Sequence, residues 1–194
     1  MNVNLPRLGP EARRRLRANL EIDELKRSLF KLMPTGKCPG NDGLSVELLR
    51  SCWSRAGPLL FEAIKEGCEE GELSRSQKES VISLIEKKDR DRTMLKNWRP
   101  IALMNVDTKS LSRAIAERMR HTLPDLIRPS QIAYMKGRNI AEGNRLIDFI
   151  IEYNENRDGG FVVTIDFKKA FDTVNHSYLE HVLEAYGYPK EFID

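Results

Sequence analysis

The sequence of 194 residues predicts an α+β fold that is mainly helical, with a basic β-hairpin and one buried strand. Two observations indicate this fold class. Apolar residues recur three to five positions apart along several segments, as in amphipathic helices, and other segments are short and rich in β-branched residues. The composition, 40% hydrophobic and 31% charged, is that of an ordinary soluble domain and excludes the disordered and collagen-like classes.

Helices are expected along the first third of the chain. Leucines recur on one face of residues 11–32, which predicts an amphipathic helix with a basic N-terminal half that ends at Pro34. Residues 35–43 form a loop dense in glycine, where the backbone can approach a ligand closely. Two short helices are expected to follow, over residues 45–55 and 58–69.

A hairpin and a further helix are expected next. Residues 81–86 and 99–103 are apolar and suited to strands, which predicts two antiparallel strands joined by a basic loop. Apolar residues on a four-residue stride over residues 108–123 predict a helix that ends before Pro124.

The C-terminal part is expected to contain a helix, a strand and a last helix. Residues 140–154 are amphipathic, and a turn at 158–160 leads into residues 161–166. The continuous apolar character of that segment predicts a strand buried on both faces, with Asp166 at its C-terminal end. The last helix is expected over residues 175–186.

Basic residues are concentrated in one part of the chain. Residues 86–120 hold ten Lys or Arg against five Asp or Glu, whereas the net charge of the whole chain is only +3. A polyanion such as nucleic acid or nucleotide phosphates would explain this charge, and a solvated helix face is the alternative.

Other classes of protein receive little support. The three cysteines include no Cys-x-x-Cys pair, so neither a zinc site nor a disulfide framework is expected. No apolar run approaches the roughly 20 residues of a membrane-spanning helix, and the N-terminus lacks a secretion signal. We therefore expect an intracellular protein of the nucleus or cytoplasm, without a membrane partner.

Two carboxylates are candidates for chemistry. Asp166 is expected at the end of a buried strand, where an unpaired charge is costly, and Asp172 follows six residues later. Hard cations such as Mg²⁺ take oxygen ligands from one or two carboxylates and from substrate phosphates. The alternative is a structural pair that caps a turn or bonds Lys168 and Lys169.

Four blocks of sequence resemble, in order and at similar separations, blocks of the reverse transcriptases, most of all those of non-LTR retrotransposons (long interspersed elements). They are Gly-Lys-Cys-Pro-Gly-Asn-Asp-Gly at 36–43, Asn-Trp-Arg-Pro-Ile-Ala-Leu at 97–103, Gln-Ile-Ala-Tyr-Met-Lys-Gly-Arg at 131–138, and Thr-Ile-Asp-Phe-Lys-Lys-Ala-Phe-Asp-Thr-Val-Asn-His at 164–176. Where the family has a Gly-Phe pair in the third block, this chain has Ala133 and Tyr134.

The resemblance implies an RNA-directed DNA polymerase with a right-hand architecture. It implies an N-terminal helical extension over residues 1–33, fingers over 34–158 and the start of a palm over 159–194. The expected cofactor is Mg²⁺, or alternatively Mn²⁺. The expected partners are an RNA template, a DNA primer, deoxynucleotide triphosphates, and the remaining palm and thumb of a longer protein.

The resemblance also assigns roles to individual residues. Asp166 matches the catalytic palm carboxylate that binds the metal ions, and the backbone carbonyl of Phe167 would be a further ligand. Phe171 matches the residue that packs under the sugar of the incoming nucleotide and rejects a 2′-hydroxyl. Arg99 matches an arginine that binds the nucleotide phosphates, as does Lys87, for which Lys88 is an alternative.

Template contacts and supporting roles are implied for a second group of residues. Gln131 and Arg138 match a template-binding block, although Arg138 could instead cap the helix that follows. The remaining members are Lys37 and Gly40 for the template, and Asp172 and Lys109 in supporting roles.

One block of the family is missing from these residues. The second palm block carries an aromatic-x-Asp-Asp sequence, and no Asp-Asp dipeptide occurs in the 194 residues. Because a two-metal site needs carboxylates on both sides, we expect this chain alone to bind Mg²⁺ weakly and not to polymerise. Two other functions stay open: a non-catalytic nucleic-acid-binding fragment of retroelement origin, and a metal-dependent phosphohydrolase that uses Asp166 and Asp172.

Overall fold

A computed structural model describes residues 5–155 and 160–193. These residues are mostly helical and contain one two-stranded antiparallel sheet, which agrees with the predicted α+β class. The elements are α1 (Pro10–Arg17), α2 (Ile22–Arg27), a π-helix (Ser28–Leu32), α3 (Val46–Ser51), α4 (Trp53–Glu70), α5 (Arg75–Lys78), β1 (Ser80–Glu86), a 3₁₀ turn (Leu95–Asn97), β2 (Trp98–Met104), α6 (Val106–Arg120), α7 (Leu123–Leu126), α8 (Ile140–Glu155), α9 (His176–Tyr186) and α10 (Lys190–Ile193). None of the helices in these residues is both long and apolar enough to cross a membrane.

The chain folds as two compact units. One unit is Asn19–Glu117, and the other comprises the described residues of Met1–Ala18 and Arg118–Asp194. In the first unit, two apolar clusters pack the helices together, and their side chains are almost fully buried. Their buried members are Leu29, Met33, Val46, Leu49 and Val106 in one cluster, and Leu25, Ile64, Leu111 and Ala114 in the other.

The single helix predicted over residues 11–32 is wrong, because the structure breaks it between Arg17 and Ile22. Ala18 is extended, and Glu21 starts α2 with a capping box in which Glu24 accepts a hydrogen bond from the backbone of Glu21. A capping box satisfies backbone N–H groups that a helix leaves unpaired at its start, which makes a new beginning here favourable. The leucine spacing continues across the break.

The boundary predicted at Pro58 is also wrong. Helix α4 begins at Trp53 and contains Pro58 in its interior. Gly57 faces the Trp53 ring so closely that a Cβ atom there would lie 2.6 Å from the ring. A glycine at that position lets the indole lie against the first turns of the helix.

The basic hairpin is confirmed. Strands β1 and β2 pair in antiparallel register, with Ile85 opposite Arg99. The connection between them is held by internal hydrogen bonds, including one of 2.9 Å from Nε1 of Trp98 to the carbonyl of Arg92. Large apolar side chains such as Ile82 are exposed along this two-stranded ribbon.

A buried amide holds the glycine-rich loop in the first unit. Asn105 is only 1% exposed, and its Nδ2 donates to the carbonyl of Ser76 at 3.0 Å. Its Oδ1 accepts from the backbone N–H of Asp42 at 3.5 Å. Gly40 lies against the same side chain, since a Cβ atom on Gly40 would fall 1.9 Å from Oδ1 of Asn105. One side chain therefore connects the loop, α5 and the start of α6.

In the second unit the N-terminal segment packs on the last helices. Leu8, Leu16, Leu126 and Tyr188 form its buried apolar cluster. The backbone N–H of Leu8 donates to the carbonyl of Tyr186 at 2.8 Å. The buried hydroxyls of Thr122 and Tyr188 are hydrogen-bonded at 2.7 Å, and burial raises the pKa of the Tyr188 hydroxyl.

The predictions for the other helices are largely confirmed. Helix α8 matches the expected segment, and α9 begins at the expected place, where the side chain of Asn175 accepts from the backbone N–H of Tyr178. Helix α6 ends at Arg120, before the expected boundary, and Pro124 lies in the first turn of the short helix α7. A proline is tolerated there because an N–H in the first turn has no helical partner.

The buried strand predicted over residues 161–166 is wrong. This segment is neither strand nor buried: Phe161 is fully exposed and Ile165 is 76% exposed. A strand needs a neighbour for its N–H and C=O groups, and the sheet formed by the described residues consists of β1 and β2 alone. Of the turn predicted at 158–160, residues 158 and 159 lie outside the described residues.

Replacement of the buried amide should destabilise the first unit. In Asn105→Ala the Ser76 carbonyl loses its partner and a gap opens beside Gly40, so we expect the free energy of unfolding to fall by about 2 kcal/mol. Urea unfolding followed by circular dichroism measures this. Asn144→Ala, an exposed position on α8, is the control and should change stability by less than about 0.5 kcal/mol. Equal stability of both variants would contradict the role of Asn105.

Tyr188 should make stability depend on alkaline pH. Because its folded pKa is raised, its stabilising contribution is complete below the pKa of an unfolded tyrosine, about 10, and is lost as the pH rises through the folded value. Tyr188→Phe removes the bond to Thr122, so at pH 7 it should cost about 1 kcal/mol. Unfolding measured from pH 7 to 11 should show the wild type losing more stability than the variant. Parallel curves would contradict this expectation.

Candidate functional site

The glycine-rich loop carries Lys37 and Gly40 on a backbone that is hydrogen-bonded to Glu47 and Asn105. The backbone N–H of Gly36 donates to Oε1 of Glu47 at 2.6 Å, and this bond lowers the pKa of that carboxyl group. Gly40 has no room for a side chain beside Asn105, as described above. Lys37 is exposed in the same loop and its ammonium group is open to solvent.

The hairpin brings Lys87 and Arg99 to one face. Arg99 lies opposite Ile85, and cross-strand partners share a face. The backbone N–H of Lys87 donates to the carbonyl of Asn97 at 2.8 Å, which extends the ladder by one residue beyond the strands. Since side chains alternate, Lys87 lies on the face of Ile85 and Arg99.

Lys88 and Lys109 lie outside the strands, whereas the ammonium group of Lys87 is hydrogen-bonded to the connecting loop. Lys88 lies in the turn that follows, next to Asp89, whose φ of 57° is left-handed. The Nζ of Lys87 donates to the carbonyl of Lys96 at 2.8 Å, so the lysine is held across the base of the loop. Lys109 lies in α6 and is half-buried.

Arg138 organises the third block. Its guanidinium group donates to the backbone carbonyls of Ile127 at 3.0 Å, Arg128 at 2.7 Å and Gln131. The interpretation that Arg138 caps the following helix is wrong. The side chain of Asn139 does so, by accepting from the backbone N–H of Ala141 at 3.0 Å, whereas Arg138 binds carbonyls that come before it.

The fourth block forms a tight turn. Lys169 has a left-handed φ of 53°, and its carbonyl accepts from the backbone N–H groups of Asp172 at 3.0 Å and Thr173 at 3.1 Å. Asp166 is exposed just before this turn. The ion pairs considered for Asp166 and Asp172, with the neighbouring lysines, are not found within the described residues.

The third and fourth blocks touch through two aromatic rings. The centroids of Tyr134 and Phe171 are 5.9 Å apart, with an angle of 87° between the ring planes. Sequence reasoning missed this contact. Its only signal was the departure from the Gly-Phe pair of the family at Ala133 and Tyr134, which drew attention to the position without indicating the partner.

The described residues offer only part of a metal site. Asp166 and the carbonyl of Phe167 supply oxygen atoms, the ligand type that Mg²⁺ prefers. Within residues 5–155 and 160–193, however, no group of three or more His, Cys, Asp or Glu side chains could hold a metal ion. A single carboxylate fits the chemistry of Mg²⁺ but leaves most of its coordination to other ligands.

The candidate residues divide between the two units. The first unit contains Lys37, Gly40, Lys87, Lys88, Arg99 and Lys109. The second contains Gln131, Arg138, Asp166, Phe167, Phe171 and Asp172. Within the units, the structure brings together Lys87 with Arg99, and the third block with the fourth.

Comparison with known proteins agrees with these blocks. Residues 85–194 match the family described as reverse transcriptase (RNA-dependent DNA polymerase). The chain is 34% identical over 190 residues to the transposon TX1 uncharacterized 149 kDa protein of Xenopus laevis, covering 97% of this chain and 14% of that protein.

Two further relatives come from insect elements. The chain is 28% identical over 165 residues to the retrovirus-related Pol polyprotein from type-1 retrotransposable element R1 of Bradysia coprophila, which covers 83% of this chain and 16% of that protein. It is 26% identical over 160 residues to the RNA-directed DNA polymerase from mobile element jockey of Drosophila melanogaster, which covers 80% of this chain and 17% of that protein. The chain thus spans less than a fifth of the length of these three relatives.

Because the family match covers more than half of its residues, the chain belongs to the reverse transcriptase family, with relatives among the proteins of non-LTR retrotransposons.

Proposed function

We propose that this chain forms the fingers and the first palm segment of an RNA-directed DNA polymerase, which extends a DNA primer on an RNA template. Residues 1–33 would be an N-terminal extension, 34–158 the fingers and 159–194 the start of the palm. The observation that carries the proposal is the common face of Lys87 and Arg99 on an exposed hairpin, within the part of the chain that matches the family.

The hairpin would bind the phosphates of the incoming nucleotide. Lys87 and Arg99 are diagonal neighbours across the strands, a relation that places Cβ atoms roughly 7 Å apart. A forked guanidinium group and a compact ammonium group at that separation can contact adjacent phosphates of a triphosphate. Lys88 lies in the turn beyond the ladder, so the geometry favours Lys87 for this role.

Asp166 and the carbonyl of Phe167 would hold Mg²⁺ or Mn²⁺ together with the substrate phosphates and protein carboxylates from outside the described residues. A bound metal would supply Lewis acidity, which would lower the pKa of the primer 3′-hydroxyl and offset the negative charge of the leaving pyrophosphate. Phe171, on the turn that follows Asp166, would lie under the sugar of the nucleotide. Asp172 would support that turn through its backbone bond to Lys169.

The third block and the glycine-rich loop, each within its own unit, would contribute contacts to the template. The guanidinium group of Arg138 is occupied by three carbonyls, so its contribution to template binding would be to shape the loop that presents Gln131. Lys37 would contact a template phosphate from a loop whose form depends on Gly40. Lys109, in the helix that follows β2, would add positive charge to the same unit as the hairpin. Because residues 1–194 contain no Asp-Asp dipeptide, we propose that they do not polymerise without the rest of the protein.

A nucleic-acid-binding fragment without catalysis is the second candidate, and the basic residues of the exposed hairpin loop favour it. Both functions predict RNA binding that weakens with salt, since Lys and Arg displace counterions from phosphates. They differ in their dependence on Asp166, which contributes no positive charge to binding.

Asp166→Ala in the full-length protein should abolish primer extension. We expect a fall in kcat of roughly 100-fold or more, because the metal loses its anchoring carboxylate, with RNA affinity unchanged. Extension of a labelled primer on an RNA template measures the rate, and a filter-binding assay measures affinity. Asp148→Ala, exposed on α8, is the control and should retain the wild-type rate. An active Asp166→Ala variant would reject the polymerase, and wild-type RNA binding without extension would favour the second candidate.

Arg99→Ala and Lys87→Ala should weaken nucleotide binding. Each removes a charge-assisted contact to phosphate, so we expect the KM for deoxynucleotides to rise roughly tenfold for each variant. Steady-state primer extension by the full-length protein measures this. Lys88→Ala should change the KM less than about twofold, since that residue lies beyond the ladder. A larger effect for Lys88 than for Lys87 would show that the assignment within this pair is reversed.

A further inference from the structure

Tyr134 has a backbone conformation that its side chain does not favour. Its φ of 62° is left-handed, and in the described residues only Asp89 and Lys169 share this property among residues other than glycine. A bulky L-residue pays a steric penalty in this region. The side chain gains little from burial, because Tyr134 is 88% exposed. Such a conformation persists where the surrounding structure imposes it.

The loop around Tyr134 supplies that constraint. Arg138 donates to the carbonyls of Ile127, Arg128 and Gln131. The backbone that precedes Tyr134 is therefore held by a side chain that follows it in sequence. The side chain of Gln131 donates to the carbonyl of Ala133 at 3.3 Å, directly before the strained residue. The ring of Tyr134 is therefore presented by a loop with little freedom to move.

The partner ring is carried by a second constrained turn. The carbonyl of Lys169 accepts three hydrogen bonds, from the backbone N–H groups of Asp172 and Thr173 and from Oγ1 of Thr173 at 3.0 Å. Phe171 projects from this turn and is 80% exposed. The two rings meet edge to face, the arrangement that aromatic pairs prefer.

We propose that Tyr134 is a positioning residue that acts through Phe171 and determines how strictly the site selects deoxyribose over ribose. The proposal rests on the function proposed above, in which Phe171 lies under the nucleotide sugar. A ring can exclude a 2′-hydroxyl only if the hydroxyl cannot push it aside. Phe171 is exposed on a surface turn, so few packing contacts hold its ring in place. Tyr134 provides a support that is itself held by Arg138.

The ratio of kcat/KM for a deoxynucleotide to that for the matching ribonucleotide tests the proposal. It is measured by primer extension with the full-length protein in Mg²⁺, for the wild type, Tyr134→Ala and Tyr134→Phe. In Tyr134→Ala we expect the ratio to fall about three- to tenfold, the factor that an aromatic contact of ordinary strength provides. The change should come from a lower KM for the ribonucleotide, with kcat for the deoxynucleotide nearly unchanged.

Tyr134→Phe keeps the ring and should restore the wild-type ratio, because the contact involves the ring rather than the hydroxyl group. Tyr178→Ala removes an exposed tyrosine from α9 in the same unit and should leave the ratio unchanged. A wild-type ratio in Tyr134→Ala overturns the inference. So does a variant that weakens only template binding, since Tyr134 would then act as a stacking surface for a base. A wild-type protein that extends no primer overturns the proposed function and this inference together.

Discussion

The shape of the glycine-rich loop depends on one buried amide. Asn105 reaches from the start of α6 to the carbonyl of Ser76 and to the backbone of the loop, and Gly40 lies directly on it. Buried polar groups are tolerated when every partner is satisfied, and they then define one arrangement more sharply than apolar contacts do. The loop, α5 and α6 are thus fixed to one another, and β1 and β2 leave from this junction at Ser80 and Met104.

Local patterns predicted the elements whose stability is local. The hairpin, α8 and α9 were predicted from short apolar β-rich runs, helical periodicity and end signals, all of which lie within the segment concerned. The break before α2 was missed because the leucine spacing continues across it. The signal for a new helix start was the pair Glu21 and Glu24, which form a capping box. The prediction of a strand over residues 161–166 was wrong because it depended on contacts outside the segment. Apolar sequence indicates a tendency to be buried, but a strand also needs partners that no local pattern reveals.

The candidate site shows the same division. Residue types and block order were sufficient to identify the family and to select Asp166, Arg99 and Phe171. The ladder register supports the proposal of Lys87 rather than Lys88, and the contact of Tyr134 with Phe171 joins two blocks that are distant in sequence. Backbone conformation adds a signal that composition lacks. Of the three described residues other than glycine with a left-handed φ, Tyr134 and Lys169 lie in blocks that resemble the family, and Asp89 lies in the hairpin turn beside Lys88.

The hairpin has a thermodynamic consequence of its own. In the described residues β1 and β2 form a ribbon of two strands, with Ile82 and other apolar side chains facing solvent. Two strands without a third are only marginally stable in water, so this ribbon can open at a smaller free-energy cost than the helical core of its unit. A ligand that binds only the closed ribbon raises that cost in proportion to the logarithm of its concentration. A ligand of the hairpin would therefore be a structural component of the surface that binds it, and the fraction of molecules with an ordered hairpin would rise with the concentration of that ligand.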